Sequence, residues 1–134
     1  MNPLEITHRM YDDDAFSQWL GIEVIEASEK QCVLTMVVRS EMLNGFKIAH
    51  GAITYALADS ALAFVSNGTG RHAVSIHTSI DHHLAVEKGD VLTATATPVN
   101  IGHKVAHYEV SITRNKDRVA SFRGMVYRKS QEWK

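Results

Sequence analysis

The stretch from Ala52 to Val65 is apolar on nearly every face, yet it carries Asp59 near its middle. A helix that is apolar all round belongs in a core or an interface rather than on a surface. An ionised carboxylate is almost never fully buried without a partner, because its desolvation costs on the order of several kcal/mol. Asp59 therefore needs a reason to be there. The residues upstream point to chemistry: His50-Gly51 opens the same helix, and Asn44 precedes it by a short loop.

The chain has 134 residues, enough for one domain and one core. Its net charge of −1, with neutral histidines, indicates no broad basic face for nucleic acid. Cys32 is the single cysteine, so no intrachain disulfide can form, which fits a reducing compartment. Met1-Asn2-Pro3-Leu4-Glu5 lacks the basic start and apolar stretch of a signal peptide. The apolar helix is too short and too interrupted to span a membrane. These features together predict a cytoplasmic protein with no membrane association.

The pattern along the chain predicts an α+β domain over residues 1–134, with the first dozen residues peripheral. Asp12, Asp13 and Asp14 precede Ala15 to Leu20, and Gly21 follows, which reads as a short capped helix rather than a metal site. Strands are expected at Ile22 to Ala27 and at Gln31 to Arg39, with Cys32, Leu34, Met36 and Val38 on one face. The apolar helix follows and stops at Asn67-Gly68-Thr69-Gly70. From Val74 to Tyr127, alternating apolar and polar positions separated by short turns predict four more antiparallel strands. One apolar helix beside about six strands must lie across the concave face of the sheet. Its leftover apolar surface predicts a partner subunit.

The first turn of the helix should present unpaired N–H groups from His50, Gly51 and Ala52, with the positive end of the dipole. Such a place suits an oxyanion. Read alone, it is an ordinary helix start. Asp59 is a candidate nucleophile or general base, with Asn44 orienting a water or a carbonyl. Taken singly, Asp59 could be a carboxylate capped by backbone or hydroxyl partners, and Asn44 a turn residue before Gly45. The eight residues from Gly51 to Asp59 span roughly 12 Å of helix, at ~1.5 Å per residue. Both must come within about 3 Å of one reacting group, which a single chain does not easily allow. Two antiparallel helices across a two-fold axis resolve this, with Gly51 of one subunit facing Asp59 of the other.

The segment from Asn44 to Asp59, spaced Asn-x5-His-Gly-x7-Asp, resembles the signature of hotdog-fold acyl-CoA thioesterases of the phenylacetic acid degradation type. The later runs Gly89-Asp90-Val91-Leu92 and Gly102-His103-Lys104 are similar to that family too, and the resemblance covers about residues 15 to 128. It implies a hotdog fold, a dimer with one continuous sheet and shared active sites, and often a homotetramer. It implies that Gly51 and its neighbours form the oxyanion hole and that Asp59 of the partner subunit attacks or activates water. Asn44 would position the reacting groups, His50 would shape the helix start, and Ser75 would orient the water or carboxylate. Two positions depart from the family: Ala52 replaces a usual second glycine, and Ala85 stands where proline is common.

The substrate implied is an aryl-acyl or medium-chain acyl-CoA, hydrolysed to free acid and coenzyme A. Coenzyme A is then part of the substrate, and no separate cofactor is expected. Arg71, Lys88, Lys104 and Arg128 are candidate phosphate partners, although solvated surface describes each at least as well. Tyr55, Phe64 and Phe46 are candidates for an aromatic-tolerant pocket, or simply for core packing. The eight histidines form no metal-ligand motif, and the hydrolysis needs no metal. Two other readings remain open. A hotdog hydratase or dehydratase would use His50 with Asp59, and a non-enzymatic acyl-CoA-binding protein would bind without turnover.

Overall fold

A computed structural model describes residues 1–134. Helix α1 (Pro3–Asp12) opens on a reciprocal cap: Asn2 Oδ1 accepts from Glu5 N at 2.8 Å, and Glu5 Oε2 accepts from Asn2 N at 3.3 Å. Pro3 fills the first helical turn, where a missing N–H does no harm. The first dozen residues, expected to be peripheral, thus form a helix that packs on the central one, with Ile6 and Thr7 wholly buried. Helix α2 (Ala15–Leu20) starts at Asp14, whose carboxylate accepts from Ser17 N at 2.9 Å. It ends at Gly21, whose φ of 75° is a left-handed conformation that glycine adopts without penalty.

Strands β1 (Glu23–Ala27) and β2 (Cys32–Val37) follow. Then come the long helix α3 (Gly51–Asn67) and strands β3 (Arg71–His82), β4 (Val91–Ile101), β5 (Val105–Arg114) and β6 (Asp117–Glu132). The strands form one antiparallel sheet in the order β1-β2-β4-β5-β6-β3. The architecture is the hotdog arrangement of one sheet curled around one helix. Strand β6 runs five residues past the expected Tyr127, because its end pairs with the start of β3, Arg71 opposite Glu132.

The inner face reads off the period-two pattern. Leu34, Leu92, Ala94, Ala96 and Ile112 are fully buried beneath α3. Small residues let the helix lie close: Ala56, Ala58 and Ala61 are buried, and at Gly124 of β6 any side chain would collide with Leu62. Helix α3 crosses the inner face, so the chain leaves β2 on one side and enters β3 at the far edge. The outer edge of β3 is unpaired, and Val74 and Ile76 there are 46% and 54% exposed. No helix is long and apolar enough to cross a membrane.

Candidate active site

The loop before α3 is organised by Asn44. Its Oδ1 accepts from Phe46 N at 2.9 Å and Ile48 N at 3.4 Å, folding residues 44–48 into a tight turn. Lys47 takes a φ of 64° inside that turn. The Asn44 side-chain amide group remains available as a donor. His50 is the N-cap of α3. Its Nδ1 accepts from Ala52 N at 3.0 Å, while its carbonyl accepts from Ile53 N at 2.8 Å. Of the first-turn donors named from the sequence, Ala52 is therefore occupied and Gly51 N–H is left pointing outward at the positive end of the dipole. His50 acts as a cap, holding Ala52 N rather than offering Nδ1 to a ligand.

Asp59 lies two turns further along, half-buried. Burial, and secondarily the neighbouring carboxylate of Asp14, hold its pKa above the usual carboxylate range. No hydroxyl caps it. The adjacent Ser60 instead bonds Ser17 Oγ at 2.8 Å, and Ser17 Oγ donates to Asp14 Oδ2 at 2.6 Å. Asp59 is a half-buried acid without a hydrogen-bond partner in the chain, and it lines a cleft, which fits a reactive role better than a structural one.

The candidates separate into two clefts, one at the start of α3 and one beside its middle. Asn44 and Gly51 line a cleft of about 340 Å³ together with Thr54, His82 and Ala85. Asp59 and Ser75 share another of about 280 Å³, walled by Met10, Leu62 and Ala63. Met10 belongs to α1, so the helix unforeseen in the sequence roofs the acid. Sequence reasoning also missed Thr54 and His82. Thr54 Oγ1 donates to the Gly51 carbonyl at 3.0 Å and faces His82 Nδ1 at 3.3 Å. The i, i+3 spacing of Gly51 and Thr54 was available as a signal, but His82 reaches them only through the register of β3 over α3.

The wall of the first cleft is held from behind. Asp90 Oδ2 accepts from Glu87 N at 2.8 Å and from Arg114 at 2.9 Å, and Arg114 also bonds the Ala85 carbonyl at 3.0 Å. The Glu87 amide, then Arg114, lower the Asp90 pKa. This explains the Gly89-Asp90 pair: Gly89 turns the chain at a φ of 89°, and Asp90 pins the loop carrying Ala85.

The basic candidates divide. Arg71 bonds the carbonyls of Lys129, His103 and Arg128, and Arg128 bonds that of Gly102. Both are occupied in tying the β4–β5 turn to β6, whereas Lys88 and Lys104 are exposed. Of the aromatic candidates, Phe64 is core, Phe46 is 87% exposed, and Tyr55 meets Phe122 edge-on at 5.4 Å.

Comparisons with known proteins agree on family and fold. The thioesterase superfamily profile matches residues 46–121. The acyl-coenzyme A thioesterase PaaI of Escherichia coli (strain K12) is 38% identical over 90% of this chain and 87% of its own. The solved E. coli PaaI protein, from the phenylacetic acid degradation operon, superposes with a TM-score of 0.94 at 36% identity, covering 97% of this chain and 95% of that one. A hypothetical thioesterase of Streptococcus pneumoniae TIGR4, solved with coenzyme A, superposes with a TM-score of 0.80 at 25% identity, over 84% and 91% of the two chains.

Proposed function

This chain belongs to the thioesterase superfamily, and from that premise we propose that it hydrolyses an aryl-acyl or medium-chain acyl-CoA to the free acid and coenzyme A. The observation that carries the reading is the split site. An oxyanion-type donor, Gly51 N–H, and an unpartnered acid, Asp59, lie at the start and the middle of one helix, in different clefts. Neither cleft is complete alone. A two-fold dimer that joins the open β3 edges brings each Gly51 to Asp59 of the partner subunit, forming two equivalent sites. Two such dimers would make the tetramer. Coenzyme A bound to the S. pneumoniae relative supports a coenzyme A thioester as substrate, which also favours a cytoplasmic location.

In this mechanism the thioester carbonyl accepts from Gly51 N–H, and Asn44 orients the reacting groups from the same wall. Asp59 of the partner subunit acts on the carbonyl carbon, directly as nucleophile or by taking a proton from water. The tetrahedral oxyanion is stabilised by an amide already aimed at it. Collapse breaks the C–S bond and releases the thiolate, which is then protonated. Ser75, beside Asp59, orients the water or the carboxylate. Lys88 and Lys104 are the exposed ammonium groups available to phosphates, and Arg71 and Arg128 shape the surface between strands.

The test is thiol release from a panel including phenylacetyl-CoA and octanoyl-CoA, wild type beside Asp59→Asn. Turnover that falls by about 10²-fold or more in the variant is expected. Undiminished turnover by Asp59→Asn would remove the acid from the mechanism. A hydrated product without free thiol, formed from an enoyl-CoA, would favour the hydratase, and tight binding without turnover would favour a binding protein.

A further inference from the structure

One imidazole in the Gly51 cleft has no place in the scheme above. His82 sits at the end of β3, and a Cβ built on Gly51 would lie 3.4 Å from its Nε2 and 3.6 Å from its Cε1. The amide nitrogen and the Cβ position of one residue are about 2.5 Å apart, so Nε2 is within about 6 Å of the Gly51 N–H. A group bound to that N–H is therefore within reach of Nε2, directly or through one water.

Its neighbours set the tautomer. Thr54 has one hydroxyl proton, and at 3.0 Å it goes to the Gly51 carbonyl. Toward His82 Nδ1, at 3.3 Å, Thr54 Oγ1 can then offer only a lone pair. With the Thr54 proton on the Gly51 carbonyl, the matching tautomer carries its proton on Nδ1 and leaves Nε2 as an acceptor on the Gly51 side. The other two imidazoles near this wall are each engaged through one nitrogen. His50 Nδ1 holds Ala52 N, and His83 Nε2 is paired with Ser121 Oγ at 2.9 Å.

We propose that His82 is a second catalytic residue, whose Nε2 takes the proton of the hydrolytic water after Asp59 of the partner subunit has formed a mixed anhydride with the acyl group. The proposal rests on the thioesterase reading and deepens it. In the first half-reaction the carboxylate adds to the carbonyl carbon, the C–S bond breaks and the thiolate leaves. Asp59 is then acylated and cannot serve as a base. In the second half, water adds to the anhydride carbonyl, its proton moves to Nε2, and the bond to Asp59 breaks to return the carboxylate. The proton on the imidazolium neutralises the departed thiolate. The sum is thioester plus water giving acid plus thiol.

The test is rapid-mixing thiol release from phenylacetyl-CoA and octanoyl-CoA, comparing wild type with His82→Gln, His82→Ala and Thr54→Val. His82 is exposed, so its replacement leaves the core untouched. His82→Gln should release about one thiol per site in a fast phase, then turn over about 10²-fold more slowly than wild type. Free imidazole should accelerate the slow phase of His82→Ala. Thr54→Val, which frees the tautomer, should slow the same phase by a smaller factor. A wild-type steady state in His82→Gln, or fast and slow phases reduced by the same factor, overturns the proposal and leaves the thioesterase reading standing. Absence of thiol release by wild type sinks the thioesterase reading, and this proposal with it.

Discussion

At the scale of single residues the decisive fact is an acid with nothing to hold it. Desolvation and Asp14 raise the Asp59 pKa, so in the folded protein its ionised form is penalised at pH values above the ordinary 3.8. A raised carboxylate contributes stability that falls as pH climbs through the window between the unfolded and folded values. Asp59→Asn should therefore raise Tm at neutral pH while abolishing turnover, and the gain should vanish near pH 3; a variant less stable than wild type at pH 7 contradicts this account. Gly51 allows a cleaner cut. It is the first helical residue, where proline is tolerated, and His50 precedes it at a ψ of 139° that suits a following proline. Gly51→Pro deletes one N–H, with its Cβ in contact distance of His82 Nε2, and should lower kcat by ~10²–10³ with the circular dichroism unchanged. Of the candidate residues legible in the sequence, only Asp59 breaks a local rule, an acid in an apolar helix; Gly51 and Asn44 are ordinary at a helix start and before a turn, and only their spacing to Asp59 singles them out. His82 breaks none. It is one more polar residue on an alternating strand, and only the register of β3 brings it to Gly51.

At the scale of elements, α3 and the six strands followed from periodicity, since each buries one face and the pattern repeats. Helix α1 did not. Its apolar positions are few, and its stability comes from the Asn2–Glu5 cap and from docking on α3, a tertiary reward that periodicity does not register. The loop carrying Ala85 is another element that depends on a distant contact. Asp90 has a lowered pKa, so its bonds to Glu87 N and Arg114 contribute stability above pH 3.8 and lose it as pH falls below. Asp90→Asn should lower Tm at pH 7, and the difference from wild type should shrink toward pH 3; a pH-independent deficit would mean that charge is not the cause. Where α3 crosses β6, Gly124→Ala pushes a methyl into Leu62, and about 1–3 kcal/mol of destabilisation is expected in chemical denaturation.

At the scale of the whole molecule, Gly51 and Asp59 line separate clefts of one chain. The proposed dimer predicts a mixing result. Asp59→Asn and Gly51→Pro are each inactive alone, but refolded together they form mixed dimers in which one site takes both intact residues and the other takes both lesions. With random pairing, half the dimers are mixed and half their sites are whole, so about one quarter of wild-type activity should return. No recovery, with mixed dimers demonstrated by mass spectrometry, would place the whole site within one chain. The exposed β3 edge is the surface where such pairing would occur, and its Val74 and Ile76 read in the sequence as an ordinary alternating strand. In the proposed dimer, a helix of 17 residues serves one site with its start and another with its middle, and this has a genetic consequence. Alleles damaged at its start and at its middle would rescue each other in trans, and so small a stretch of one gene would behave as two complementation groups.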